Sequence, residues 1–320
     1  MANEIKTVIT AGGIGTRLLT ATKEIPKEML PIYALDYKGQ ICMRPLFEQI
    51  FHQAFLMGIR KYCVVVGKQK RTIEDHFTPD FLFINKMLSN QNAVVNDLKI
   101  LYKRIAESSI HWVNQIGTHG FGHAVLMTET FVGNEEFIVL AGDTLILSKS
   151  ISPLQKIIDT KLEGKYDAAI LVRQVHDPRA FGVATLVKEN NELIIKKVVE
   201  KPKNPETNIA IMPVYRFKPS IFSMLKEIKY GKNELQLTSG IQKLIDNHHN
   251  KITLAINTFT NLLQTDNITL GCQTMSLQEE QASAYRIPPF QEIFKYLLSL
   301  STITKHLTSE EQNEASRIIQ

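Results

Sequence analysis

Short apolar runs separated by longer amphipathic ones constrain this 320-residue chain more than any other feature. The apolar runs at 7–10, 62–66, 111–113, 137–141, 168–172, 182–186 and 210–217 predict strands. The stretches 44–57, 73–77, 122–130, 154–161, 220–225 and 237–247 predict helices. Strands that are apolar throughout are buried on both faces, and helices supply the two covers. The pattern therefore predicts an α/β fold: a mixed, mainly parallel sheet flanked by helices. Segment 81–109 is polar and irregular, and predicts a helical excursion on the surface. In sheets of this kind ligands lie beyond the carboxyl ends of the strands, so residues just after strand ends carry the chemistry.

The first strand end is the most telling. Run 7–10 leads into Gly12, Gly13 and Gly15, followed by Thr16 and Arg17, with Lys27 ten residues beyond. Glycine removes the Cβ that keeps a backbone away from an anion. Consecutive loop N–H groups then cradle phosphate oxygens, and Arg17 and Lys27 add full positive charge. This is the pattern of a polyphosphate site, but not of two familiar ones. A dinucleotide fingerprint would need glycine where Leu18 stands, and no G-x-x-x-x-G-K-[ST] string occurs. A second strand end, after 137–141, presents Asp143. A carboxylate there suits Mg2+, which takes one or two carboxylates together with substrate phosphates.

The strings Gly12-Gly13-Ile14-Gly15-Thr16-Arg17 and Pro26-Lys27-Glu28-Met29-Leu30-Pro31 resemble the signature of the sugar-1-phosphate nucleotidyltransferase family. Within it the nearest likeness is to the bacterial-type UTP–glucose-1-phosphate uridylyltransferases. Segments 67–77, 120–125, 140–143, 181–183, 199–202, 208–211 and 234–238 continue the likeness in the family's order. The resemblance implies a Rossmann-like, GT-A-like nucleotide-diphospho-sugar transferase domain over 1–287, with a helical tail at 288–320 as an oligomer contact. It implies transfer of a uridylyl group from UTP to glucose 1-phosphate, giving UDP-glucose and pyrophosphate, with Mg2+ as cofactor. It implies Arg17 on the leaving pyrophosphate, Lys27 on the triphosphate and Asp143 on the metal. Gln115, Glu28 and the backbone of Gly12 and Gly120 would surround the base. Gly13, Gly15 and Thr16 complete the phosphate turn. Gly182 and Glu200 would meet the sugar, and Lys201 its phosphate. Glu28 equally suits a salt bridge. His123 reads as a structural hydrogen-bonding residue, because this chemistry requires no histidine base.

Two positions depart from the family pattern. A late Asp-x-Gly motif normally supplies a second metal carboxylate, whereas here Thr269 stands two residues before Gly271, and Asp266 is three residues off register. Met212-Pro213-Val214 stands before Tyr215 where close members have a glycine and an arginine. Three readings stay open: the uridylyltransferase, a sister enzyme for dTTP or another hexose 1-phosphate, and a sugar-nucleotide-binding regulatory subunit with little catalysis.

Composition narrows the setting. A net charge of +5 with no basic block beyond Lys68–Arg71 argues against nucleic acid. Three cysteines, Cys42, Cys63 and Cys272, form no C-x-x-C pair, which argues against a disulfide framework or zinc site. No run reaches the length of a membrane span, and the first residues lead straight into a strand rather than a leader layout. The expectation is a cytoplasmic enzyme with small-molecule substrates, assembled as a homo-dimer or homo-tetramer.

Overall fold

The computed structural model describes residues 3–13, 15, 18–87, 93–117, 119–146, 153–162, 166–189, 192–230, 234–247, 252–257 and 269–271. The strands are β1 (Asn3–Ala11), β2 (Pro31–Leu35), β3 (Ile41–Pro45), β4 (Ile59–Gly67), β5 (Ser109–Gln115), β6 (Phe137–Ala141) and β7 (Thr144–Ile146). They continue with β8 (Tyr166–Gln174), β9 (Gly182–Glu189), β10 (Glu192–Glu200), β11 (Ile209–Phe217), β12 (Ile252–Asn257) and β13 (Thr269–Gly271). The helices are α1 (Leu19–Thr22), α2 (Leu46–Leu56), α3 (Arg71–His76), α4 (Phe81–Met87) and α5 (Ala93–Ala106). After them come α6 (Phe121–Leu126), α7 (Glu129–Val132), α8 (Pro153–Asp159), α9 (Ser220–Lys226) and α10 (Leu237–Asn247).

Nine strands form one mixed sheet in the order β5-β4-β1-β6-β11-β8-β12-β10-β9. The half that carries the glycine turn, β5-β4-β1-β6, is parallel throughout. Strand β11 runs antiparallel to β6 and β8, and β9 and β10, two residues apart in the chain, pair antiparallel as a hairpin does. Every predicted strand falls within an observed one.

Side chains alternate across the sheet as the pleat demands. Ile9, Val64 and Leu140 face a layer that includes Phe47 and Phe51 of α2 and Ile157 of α8. Val8, Val65 and Val139 face the opposite layer, with Val125 of α6, Phe222 of α9 and Ile241 of α10. Phe47, Phe51 and Phe77 meet edge to face at centroid distances of 5.1–5.4 Å, the arrangement ring quadrupoles favour.

Two predicted elements change. Stretch 122–130 is not one helix but two, α6 and α7, because the Thr128 hydroxyl bonds the Val125 carbonyl at 2.7 Å and competes with helix continuation. Within segment 81–109 the described helices are α4 and α5, and they are no mere surface excursion. Ile84, Leu101 and Tyr102 are buried in the core, and Ser109 already begins β5. The tail 288–320, with its proposed domain boundary, lies outside the described residues, as do Asp266 and Cys272.

Candidate functional site

Strand β1 ends at Ala11, and the chain turns at once through Gly12 and Gly13. A Cβ on Gly12 would overlap the Gln115 side-chain oxygen, so glycine is what lets that amide lie against the turn as it does. Gly15 follows at φ +74°, and its carbonyl accepts a 2.7 Å hydrogen bond from the Thr22 hydroxyl, which ties the turn to α1. Thr16 and Arg17 lie outside the described residues.

Lys27 opens a single 3-10 turn, Lys27–Met29, directly after Pro26. Its ammonium forms an ion pair with the Asp143 carboxylate, whose other oxygen accepts from the Thr144 hydroxyl at 3.1 Å. Asp143 owes its place to Gly142. The Gly142 N–H donates to the Thr10 carbonyl at 2.8 Å, and a Cβ there would meet the Phe47 ring at 2.9 Å. The close approach of β6 to β1 thus sets Asp143 beside the glycine turn, with 7% of its surface exposed.

Glu28, on the same turn as Lys27, is 1% exposed and pairs with Lys70 at 2.5 Å. Gln69 takes a left-handed φ of +70°, which a side chain seldom adopts, in the residue that precedes Lys70. Burial pushes the Glu28 carboxyl above the usual carboxylate range, with Lys70 and then Lys27 pulling the other way.

Gln115 closes β5. Its amide nitrogen donates to the Gly120 carbonyl at 3.2 Å and lies 3.0 Å from His123 Nδ1. Gly120 has φ +92°, and a Cβ there would lie 2.7 Å from the Leu235 carbonyl oxygen. Two backbone bonds, Gly122 N–H to Leu235 O at 2.8 Å and Leu235 N–H to His119 O at 2.7 Å, fasten this loop to the segment before α10.

A second cluster forms where β9 and β10 face each other, Gly182 opposite Glu200. Lys201 leaves β10 with φ +41°, its N–H donates to the Phe181 carbonyl at 3.0 Å, and its ammonium lies 3.3 Å from Glu200. The Thr238 hydroxyl donates to Glu200 at 2.9 Å. A Cβ on Gly182 would come within 2.8 Å of the Thr238 methyl. Beneath them Tyr215 is buried, and burial together with the Glu200 charge holds its phenol protonated well above the usual range.

Both clusters open into one cleft of about 350 Å³. Of the residues the sequence singled out, Gly12, Gly13, Lys27, Glu28, Gln115, Gly120, Asp143, Gly182, Glu200 and Lys201 line it. Gly15 does not; its part is in the turn itself, through its left-handed φ and its bond from Thr22. Among the described residues no group of three or more His, Cys, Asp or Glu side chains could hold a metal by itself. The late motif position lies nearby: β13 pairs with β7, Gly271 against Thr144 and Thr269 against Ile146.

Sequence reasoning missed Lys70, Thr238 and Tyr215. Lys70 and Thr238 lie in strings that carried the family likeness, 67–77 and 234–238, yet nothing in their spacing points to the carboxylates they hold.

Comparison with known proteins gives consistent results. A family model described as nucleotidyl transferase matches residues 6–259. The UTP–glucose-1-phosphate uridylyltransferase of Mycoplasma pneumoniae is 35% identical over 249 residues, 74% of this chain and 79% of that protein. The enzyme of that name from Bacillus subtilis is 36% identical over 245 residues, 75% of this chain and 80% of that protein. The crystal structure of a UDP-glucose pyrophosphorylase complexed with UDP-glucose superposes with a TM-score of 0.69 at 28% identity, covering 86% of this chain and 96% of that one.

Proposed function

Since the chain belongs to the nucleotidyl transferase family, we propose that it transfers a uridylyl group from UTP to glucose 1-phosphate, giving UDP-glucose and pyrophosphate. The observation that carries this reading is the convergence of Lys27 and Asp143 in the same cleft as Glu200 and Lys201. One pair suits a triphosphate, and the other suits a phosphorylated sugar.

In the reaction an oxygen of the sugar phosphate attacks the α-phosphorus of UTP. The new P–O bond forms as the bond to the β-phosphate oxygen breaks, and pyrophosphate leaves with that electron pair. Such transfer depends on alignment and charge neutralisation more than on acid–base work. The Lys27 ammonium would leave Asp143 for the triphosphate oxygens, and Arg17 would meet the leaving pyrophosphate. The Lys201 ammonium would hold the attacking phosphate. Glu200, fixed by Thr238, would accept from paired sugar hydroxyls. Gly12, Gly13 and Gly120 would bring backbone against the nucleotide, and Gln115 its side-chain amide.

A divalent metal fits this donor set. Asp143 is a nearly enclosed carboxylate at a strand end with one oxygen on the Lys27 ammonium, and magnesium takes such a carboxylate together with phosphate oxygens and water. Asp143 would hold Mg2+, and the metal would neutralise charge on the reacting phosphates when bound. We further propose a cytoplasmic, homo-oligomeric enzyme.

The direct test is pyrophosphate release by purified protein given magnesium, UTP and glucose 1-phosphate. Release only with another pair would establish the sister specificity. Pro213, which lines the cleft, favours that second reading for the hexose. Tight UDP-glucose binding without turnover on any pair would leave a regulatory subunit.

A further inference from the structure

The Gln115 amide has a defined polarity, set by its hydrogen-bond partners. The Gly120 carbonyl, 3.2 Å away, can only accept, so the end of the amide that faces it must be the NH2 group. That nitrogen also lies 3.0 Å from His123 Nδ1. An amide nitrogen has two hydrogens and no lone pair to offer, so His123 Nδ1 must accept the second. Both hydrogens are then used within the protein. The oxygen is turned the other way, against Gly12, and accepts nothing from the described residues. Gln115 therefore offers the cleft an acceptor and no donor.

We infer that His123 is a positioning residue that locks the Gln115 amide oxygen toward the base, and so selects pyrimidines carrying an N3–H over those whose N3 is an acceptor. The inference rests on the reading that Gln115 faces the base of a pyrimidine nucleotide, and it assigns His123 a role in that recognition. Uracil and thymine present an N–H to such an oxygen, whereas cytosine presents a lone pair, which it repels. The lock requires the His123 tautomer with its hydrogen on Nε2. Burial, with His119 at a ring distance of 5.0 Å, holds His123 below the usual histidine range, in keeping with an unprotonated Nδ1. Without His123, only the Gly120 carbonyl would hold the amide, and a rotated Gln115 could donate to cytosine N3.

Calorimetric titration of the full chain with UTP and with CTP tests this. The wild-type protein should favour UTP. His123→Phe should narrow the UTP-to-CTP affinity ratio by about tenfold or more, the scale of one misdirected hydrogen bond. His123→Asn, whose side-chain carbonyl can accept the same N–H, should restore much of the ratio. An unchanged ratio in folded His123→Phe, or an asparagine variant no better than phenylalanine, overturns the lock while the base assignment stands. A wild-type protein with no preference overturns both. The wild-type histidine 15N spectrum decides independently of any variant: Nε2–H at His123 is expected, and Nδ1–H at neutral pH refutes the inference.

Discussion

Lys27 and Asp143 stand 116 residues apart in the chain and are joined as an ion pair in the cleft. Each is the other's counter-ion in the free protein, and each has a phosphate-side partner in the proposed reaction. The triphosphate gives the lysine a new anion at the moment the carboxylate is required by a cation. Asp143→Asn should therefore lower kcat by about 100-fold or more while raising the KM for UTP by less than about tenfold. Steady-state kinetics at saturating magnesium check this, and equal losses in both parameters would remove Asp143 from the metal.

The sugar end should respond differently. Lys201→Ala should raise the KM for glucose 1-phosphate by about tenfold or more, because a charged contact is lost. Thr238→Val, which frees Glu200 from its 2.9 Å hydrogen bond, should move the same parameter in the same direction by about threefold. UTP affinity, measured separately by titration, should hold in both. A change confined to UTP would reverse the division of phosphates between the two clusters.

Gly12→Ala places a methyl group against the Gln115 amide oxygen, the far end of a side chain rather than backbone. The fold can adjust, but the base contact cannot stay where it is. Nucleotide affinity should fall about tenfold while Tm drops by about 2–4 °C or less. Calorimetry and a thermal melt on one preparation separate the two, and a collapse in Tm at intact affinity would contradict the assignment.

The Glu28–Lys70 pair predicts a pH dependence of definite sign. The folded carboxyl sits above its ordinary value of 4.5, so the folded protein holds that proton more tightly than the unfolded chain does. Stability linked to Glu28 is thus present below 4.5 and is lost as pH rises through the folded value. The Tm difference between wild type and Glu28→Gln should decline as pH is raised from about 4, and a flat or rising difference would refute it. Lys70→Met leaves the carboxylate buried without its partner and should cost about 3–5 kcal/mol at neutral pH by denaturant titration.

What the sequence disclosed follows physical lines. Val64–Val66 and Ile138–Leu140 are buried on both faces, and such runs are visible because nothing polar interrupts them. Asp143 was legible because it follows the second of those runs, and the glycine turn because it follows the short run at 7–10. Strand β10 was not, since exposed Lys196 and Lys197 interrupt its apolar pattern. The Glu28–Lys70 pair depends on a left-handed Gln69, a conformation that glutamine gives no sign of adopting. The bond from Thr238 to Glu200 spans 38 residues and arises only when α10 packs along β10. Residues that read their neighbours through strand ends were found, and residues that reach across from another layer were not.

The short pairing of β13 with β7 has a bearing on how the enzyme can be altered. Thr269–Gly271 is the last described strand, and it is stitched to the segment that begins one residue after Asp143. Trimming or fusing the protein upstream of that strand would unpick the hem beside the reaction centre, so a cut remote in sequence would be felt first at the phosphates.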